Sequence, residues 1–163
     1  MPLTAKLEAA QARIRDRLYR HFSWVINAET PWTPLDRPLS SASVALISTC
    51  GLYCADSQVP FDAWNDLGDP SFRAIHVDTP PERLSIAHSH YDHQHVARDV
   101  NVAMPFAHFQ RLAGERVIGG LHPWSYSFMG YLPETMQLTG KTAPAVARRL
   151  AAEGVHAAFL TPC

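Results

Sequence analysis

The chain has 163 residues, of which 47% are hydrophobic and 18% charged, and its net charge is −1. This length predicts one globular domain, and the balanced charge excludes a nucleic-acid surface or a polybasic membrane anchor. No apolar run reaches the roughly 20 residues of a spanning helix, and the charged segment Met1–Arg20 does not resemble a signal peptide. We therefore expect a cytoplasmic protein. Its three cysteines are too few for a disulfide scaffold and leave metal or redox chemistry open.

The N-terminal region is predicted to lie outside the main domain. Residues 4–27 have apolar side chains at helical spacing opposite basic ones, which predicts an amphipathic helix. The three prolines of residues 29–38 exclude regular structure there. We therefore divide the chain into an N-terminal helix with a Pro-rich linker, 1–38, and an α/β domain, 39–163.

Residues 39–163 alternate between predicted strands and helices. Apolar runs predict strands at 43–49, 84–88 and 155–161, with shorter extended stretches at 72–77 and 117–121. Helices are predicted at 105–114 and at 142–154, the second with Thr142 as N-cap and Gly154 as terminator. This order predicts a three-layer α/β domain with a mainly parallel central sheet. Ligands bind at the carboxyl ends of such strands, where we place Cys50, His88 and Cys163.

Residues 88–95 contain four of the nine histidines and one aspartate. On an extended strand, His88, His90 and Asp92 would share one face. Such a cluster can bind a metal, transfer protons or line a polar pocket. The spacing also resembles the HxHxDH motif of metallo-β-lactamase-like hydrolases, in which these residues bind the zinc that activates water. One alternative is therefore a zinc hydrolase with His88, His90, Asp92 and His93 as ligands.

Several ordered segments resemble a different family. These segments are 29–34, 44–49, 60–62, 68–73, 89–92, 98–102, 126–131, 143–150 and 154–162. Together they resemble the selenoprotein B family of glycine, sarcosine, betaine and D-proline reductases, from about Glu29 to the C-terminus. The resemblance implies an oxidoreductase that performs reductive cleavage. In that reaction a selenocysteine or cysteine just after the last strand attacks an activated carbon and displaces an amine, and other components then reduce the adduct.

The resemblance and the strand ends together define a candidate thiol site without a resident metal. The predicted catalytic residues are Cys163, Cys50, His90 and Asp92, and the predicted substrate-binding residues are His88, Tyr91, Asp99, Asn101, Tyr126 and Met129. Cys50 and Cys54 lie where the family usually has glycine and an aliphatic residue. They are either small buried residues without chemistry, or Cys50 faces Cys163 as a thiol pair. The implied partners are a small-molecule substrate and a thiol reductase or another reductase subunit.

The sequence stops at Cys163, at or one residue before the reactive position of the family, which continues with a further cysteine and a helix. We therefore expect a UGA codon after Cys163 that is decoded as selenocysteine. An apolar last strand without its covering helix also favours a homo-oligomer or a complex with another subunit. The same departure leaves open a non-catalytic accessory subunit that keeps the fold.

Overall fold

The computed structural model describes residues 28–29 and 32–163, so the predicted N-terminal helix lies outside the described residues. Residues Leu35–Cys163 form one compact unit, which is the unit described below. Residues 32–38 contain no helix or strand, as their prolines predict. None of the helices in the described part of the chain is long and apolar enough to cross a membrane.

A mixed, mostly parallel sheet is built around one central strand, β1 (Ser43–Ser48). On one side β1 pairs in parallel with β7 (Ala157–Thr161). Along the other side it pairs in parallel with β5 (Gly120–Leu121) and then with β6 (Trp124–Ser127). The strand β3 (Arg73–His76) completes the sheet, antiparallel to β6. The prediction of an α/β domain with a mainly parallel sheet is confirmed.

The predicted strand at 84–88 does not belong to this sheet. Its ordered part, β4 (Leu84–Ile86), pairs antiparallel with β2 (Leu52–Cys54) in a separate two-stranded sheet. Both sides of β1 are already occupied by β5, β6 and β7, and Gly51, with a φ of 70°, turns the chain into β2. Residues 87–92 lie outside any strand, so the prediction that His88, His90 and Asp92 share a strand face is wrong.

Within residues 32–163 three α-helices accompany the strands: α1 (Gln94–Arg98), α2 (Phe106–Gly114) and α3 (Ala143–Ala152). The sequence predicts α2 and α3 but not the short α1. Thr142 occupies the predicted N-cap position of α3, but a π-helical turn, Leu138–Thr142, runs directly into the helix. Thr142 therefore has helical backbone angles, and its hydroxyl makes no capping hydrogen bond.

Successive residues of β1 point into two different apolar clusters, as the alternation of a strand requires. Leu46 packs with side chains of β2, α1 and α2, such as Leu52, Val96 and Phe106. Ala45 packs in the second cluster with residues of α3, including Val146 and Leu150. Burial on both faces fixes the position of β1, and with it the position of the residues that follow Ser48.

Candidate thiol site at the strand ends

Two cysteines meet where β1 and β7 end. The register pairs Ser48 with Thr161, and the amide of Thr49 donates to the carbonyl of Thr161 at 3.2 Å. The parallel alignment therefore continues past the strands and brings Cys50 beside Cys163. Each thiol shifts the pKa of the other, so the two side chains are neighbours, and both cysteines are free.

Two hydroxyl side chains at the end of β1 support this pair. The fully buried Ser48 accepts a hydrogen bond from the amide of Cys50 at 3.3 Å. The Ser48 hydroxyl also lowers the pKa of both thiols. The hydroxyl of Thr49 accepts from the amide of Cys163 at 3.0 Å. We did not predict either residue, although period two along β1 places Ser48 on the same face as Cys50.

The two thiols have different acidities. The hydrogen bond from Cys50 lowers the pKa of Cys163 from 9.0 to about 7, with a further contribution from Ser48 against the effect of burial. The same hydrogen bond, together with burial, raises the pKa of Cys50. Cys163 is exposed whereas Cys50 is buried. The pair therefore presents one accessible thiolate and one protected donor, and the thiolate is the nucleophilic form of cysteine.

The first part of the histidine segment lies against this pair. The hydroxyl of Tyr91 donates to the carbonyl of Cys50 at 2.9 Å. The Tyr91 ring packs on His88, with 4.9 Å between the ring centroids. His88 is only 5% exposed, and its Nδ1 accepts from the amide of His90 at 3.1 Å. In the neutral ring the proton therefore lies on Nε2.

The Nε2 atom of His88 is buried and has no hydrogen-bond partner among the described residues. Desolvation lowers the pKa of His88, and the charges of His90 and His93 lower it further. The ring is consequently neutral near pH 7 and offers an unused N–H donor. An unpaired buried donor of this kind costs free energy unless a ligand or water satisfies it.

Gly130 leaves space between His88 and the thiol pair. A Cβ atom at this position would lie 3.0 Å from the carbonyl oxygen of Cys163 and 3.3 Å from Nε2 of His88. The neighbouring residue, Met129, forms an isolated antiparallel bridge with Cys50. Because Gly130 has no side chain, the space next to Nε2 of His88 and the carbonyl oxygen of Cys163 is not filled at this position.

A cavity of about 480 Å³ lies beside the histidine segment. It is lined by residues that include Phe61, Trp64, His88, Tyr91 and His93. The Nε2 atom of His93 is also buried without a partner in the part of the chain that the structure describes. Two imidazoles with unused nitrogens and three aromatic rings suit a small polar ligand with an apolar portion.

Three of the predicted site residues form turns and helix caps instead. Asp92 accepts hydrogen bonds from the backbone and side-chain amides of Gln94 at the start of α1. Asp99 accepts from the amide of Asn101, whose own side-chain oxygen accepts from the amide of Ala107 in α2. None of these contacts involves the thiol pair.

The remaining predicted residues have separate positions. His90 is exposed and stacks on Tyr131 with 3.8 Å between ring centroids, next to the thiol site rather than in it. Tyr126 is fully buried in the cluster beside α3. Met129 is 1% exposed and adjoins Cys50 through the isolated bridge. The structure thus brings together Cys50, Cys163, His88, Tyr91 and Met129.

No three His, Cys, Asp or Glu side chains among the described residues are arranged to hold a metal ion. His90 stacks on Tyr131, and Asp92 binds Gln94. The four residues of the HxHxDH pattern therefore do not converge on one point, and the zinc alternative has no geometric support.

The fold and the site define an α/β domain with an exposed cysteine at the end of a mostly parallel sheet. The sequence model of the glycine/sarcosine/betaine reductase selenoprotein B family matches residues 28–163. The chain belongs to this family, as the ordered motifs predict.

The chain is also similar to D-proline reductase subunit gamma of Acetoanaerobium sticklandii. The two are 34% identical over 131 residues, which cover 80% of this chain and 52% of that protein. The chain therefore spans about half the length of the curated relative that it matches. No solved structure matches the chain.

Proposed function

We propose that this chain performs the nucleophilic step of a reductive cleavage, as an oxidoreductase of the selenoprotein B type with Cys163 as nucleophile. The observation that carries the proposal is the pair of thiols at the strand ends, in which Cys50 donates to an exposed Cys163 and lowers its pKa to about 7. A nucleophilic cysteine must be both ionised near neutral pH and accessible, and Cys163 meets both requirements. Membership of the reductase family supports the assignment.

The substrate class follows from the same geometry. A small molecule that carries an amino nitrogen on a carbon next to a carboxylate or carbonyl would place that carbon at the Cys163 sulfur. The unused N–H of His88 would then donate to an acceptor oxygen of the substrate. His88 acts as a hydrogen-bond donor and not as an acid, because its lowered pKa keeps the ring neutral.

The reactivity of each thiol tests the proposal directly. We would alkylate the protein with iodoacetamide from pH 5 to pH 10 and quantify each modified cysteine by peptide mass spectrometry. We expect Cys163 to react first, with a midpoint near pH 7, while Cys50 and Cys54 stay unmodified in the folded protein. Cys54→Ser serves as the matched control and leaves the profile unchanged. A Cys163 midpoint near that of a free thiol, about 8.5, would contradict the proposal.

Turnover is measured on the same preparations. D-proline, glycine, sarcosine and betaine are each incubated with the protein and excess dithiothreitol, and the released amine or the reduced acid is quantified. We expect product that is lost in Cys163→Ser and kept in Cys54→Ser. Rapid alkylation of Cys163 without turnover of any substrate would leave the second candidate as the better assignment.

The second candidate is an accessory subunit of such a reductase, and it is favoured by the exposed apolar surface on β7. Phe159 and Leu160 are 45% and 65% exposed, and an apolar groove of about 500 Å³ lies between α3 and the sheet. A surface of this kind favours a protein partner. Light scattering at micromolar concentration tests it: we expect an assembly larger than a monomer that Leu160→Glu dissociates. A monomer that also fails to bind other reductase subunits would exclude this role.

A further inference from the structure

We infer that Cys50 is the resolving thiol for Cys163, so that the two residues cycle between a dithiol and a disulfide. The inference rests on the proposed function, because it assigns the second half of the reaction that Cys163 begins. It adds a redox role for Cys50, which the proposed function uses only as a hydrogen-bond donor.

The backbone geometry of the two strand ends fits a disulfide. The pairing of Ser48 with Thr161 places Cys50 and Cys163 two residues beyond the same register point. Neighbouring strands lie about 4.8 Å apart, and disulfides join Cα atoms roughly 4.4–6.8 Å apart. Each thiol also shifts the pKa of the other, as expected of neighbouring side chains. Closure of the bond therefore needs a rotation of side chains and no rearrangement of the sheet.

The surroundings of Cys50 hold it in place for this role. Its carbonyl accepts a hydrogen bond from Tyr91, and its backbone bridges to Met129. Because Cys50 is fully buried, external thiols and oxidants do not reach it, whereas the adjacent Cys163 sulfur does. Cys54 does not compete, because it lies at the far end of β2, where it pairs with Leu84 of β4.

The chemistry balances in two steps. In the first, the Cys163 thiolate forms a C–S bond, the C–N bond breaks, and the amine leaves with the electron pair and takes up a proton. In the second, the Cys50 thiol gives up its proton as its sulfur attacks the Cys163 sulfur, an S–S bond forms and the S–C bond breaks. The electron pair of that bond passes to the carbon, which takes a proton to become C–H. The adjacent carbonyl stabilises this carbanion.

The substrate thus gains two electrons, which the thiol pair loses. A dithiol reductant, free or bound to a reductase protein, then returns the disulfide to the dithiol by thiol–disulfide exchange. Reducing equivalents therefore enter the site as a dithiol, and the attack on the disulfide begins at the exposed sulfur of Cys163.

Redox equilibration of the full chain tests the inference. The protein is equilibrated with mixtures of reduced and oxidised dithiothreitol, free thiols are trapped with a maleimide, and disulfides are mapped by mass spectrometry. We expect one two-electron transition that links Cys50 to Cys163 within one chain and is unchanged in Cys54→Ser. In Cys50→Ser the intramolecular bond is lost, and oxidised glutathione labels Cys163 at least tenfold more than in the natural chain.

Two results separate this inference from the proposed function. If Cys163 is the fastest thiol to be alkylated but the oxidised natural chain contains no bond between Cys50 and Cys163, the resolving role is wrong and the nucleophile stands. If Cys163 is no more reactive than a free thiol, the proposed function fails first. A bond between Cys50 and Cys54, or between Cys163 residues of two chains, overturns the inference. The mapping uses the natural chain, so its outcome does not depend on the folding of a variant.

Discussion

The clearest prediction is that Cys50→Ala raises the pKa of Cys163. The hydrogen bond from Cys50 is the largest cause of the lowered pKa, from 9.0 to about 7. Without this hydrogen bond the pKa of Cys163 returns toward 9.0. The Ser48 hydroxyl still lowers it, so the return is not complete. Cys50→Ser keeps a hydroxyl donor at the same position, so we expect a smaller rise.

The size of the effect on reactivity follows from two opposing terms. At pH 7, a thiol with a pKa of about 7 is half ionised, whereas one with a pKa of about 9 is roughly 1% ionised, which is a loss of about 50-fold. The more basic thiolate is intrinsically more nucleophilic, by about tenfold for two units of pKa. We therefore expect alkylation of Cys163 to be about fivefold slower at pH 7 and up to tenfold faster at pH 10.

This reversal with pH distinguishes a change in pKa from a change in access. The assay is the rate of iodoacetamide alkylation at Cys163, followed by peptide mass spectrometry from pH 5 to pH 11, with Cys54→Ser as the control. A simple steric change alters the rate by the same factor at every pH. If Cys50→Ala leaves both the midpoint and the rates unchanged, Cys50 is not the donor, and the reasoning about the thiol pair is refuted.

Three further predictions concern the surroundings of the thiol pair. Gly51→Ala adds a Cβ only 2.6 Å from a backbone oxygen at a φ of +70°. We therefore expect the free energy of unfolding to fall by about 2 kcal/mol or more. Gly154 has a similar φ, but a Cβ there would meet open space. In urea unfolding, we therefore expect Gly154→Ala to lower the free energy of unfolding by only about 1 kcal/mol. The pKa of His88 is lower in the folded chain than in the unfolded chain. As the pH falls below 6.5, the unfolded chain therefore binds a proton at this residue before the folded chain does. Stability therefore declines below that pH, and we expect His88→Asn to flatten this part of the stability curve, whereas an unchanged slope would assign it to other groups. We expect elemental analysis to find no stoichiometric zinc, because His90 stacks on Tyr131 and Asp92 accepts a hydrogen bond from Gln94. Stoichiometric zinc that is lost in His90→Ala would support the zinc-hydrolase alternative.

The sequence predicted the elements whose patterns are long and locally defined. The continuous apolar run at 43–49 predicts β1, the spaced apolar residues of 105–114 predict α2, and the flanking cap and glycine signals predict α3. The strand β6 was not found as a strand, because two of its buried side chains are serines, Ser125 and Ser127. The misplacement of β4 has another cause: which strand it pairs with depends on the turn at Gly51, far from it in sequence.

The candidate site was predictable in part for a comparable reason. The rule that functional residues follow parallel strands led to Cys50 and Cys163, and the sheet brings both together. The same reasoning did not separate chemical from structural roles for Asp92, Asp99 and Asn101, because Asp and Asn side chains also close turns and cap helices. Gly130 was missed because its contribution is the space left by an absent side chain.

The difference in exposure between the two thiols follows from the order of the strands. Cys50 follows β1, which has a partner on both sides, whereas Cys163 follows β7, which pairs only with β1 among the described residues. A central strand end is buried and an edge strand end is open to solvent. One thiol is thereby protected as a donor, and the other is presented as a thiolate. Two cysteines at neighbouring ends of a parallel sheet therefore acquire different roles wherever one strand is central and the other lies at the edge.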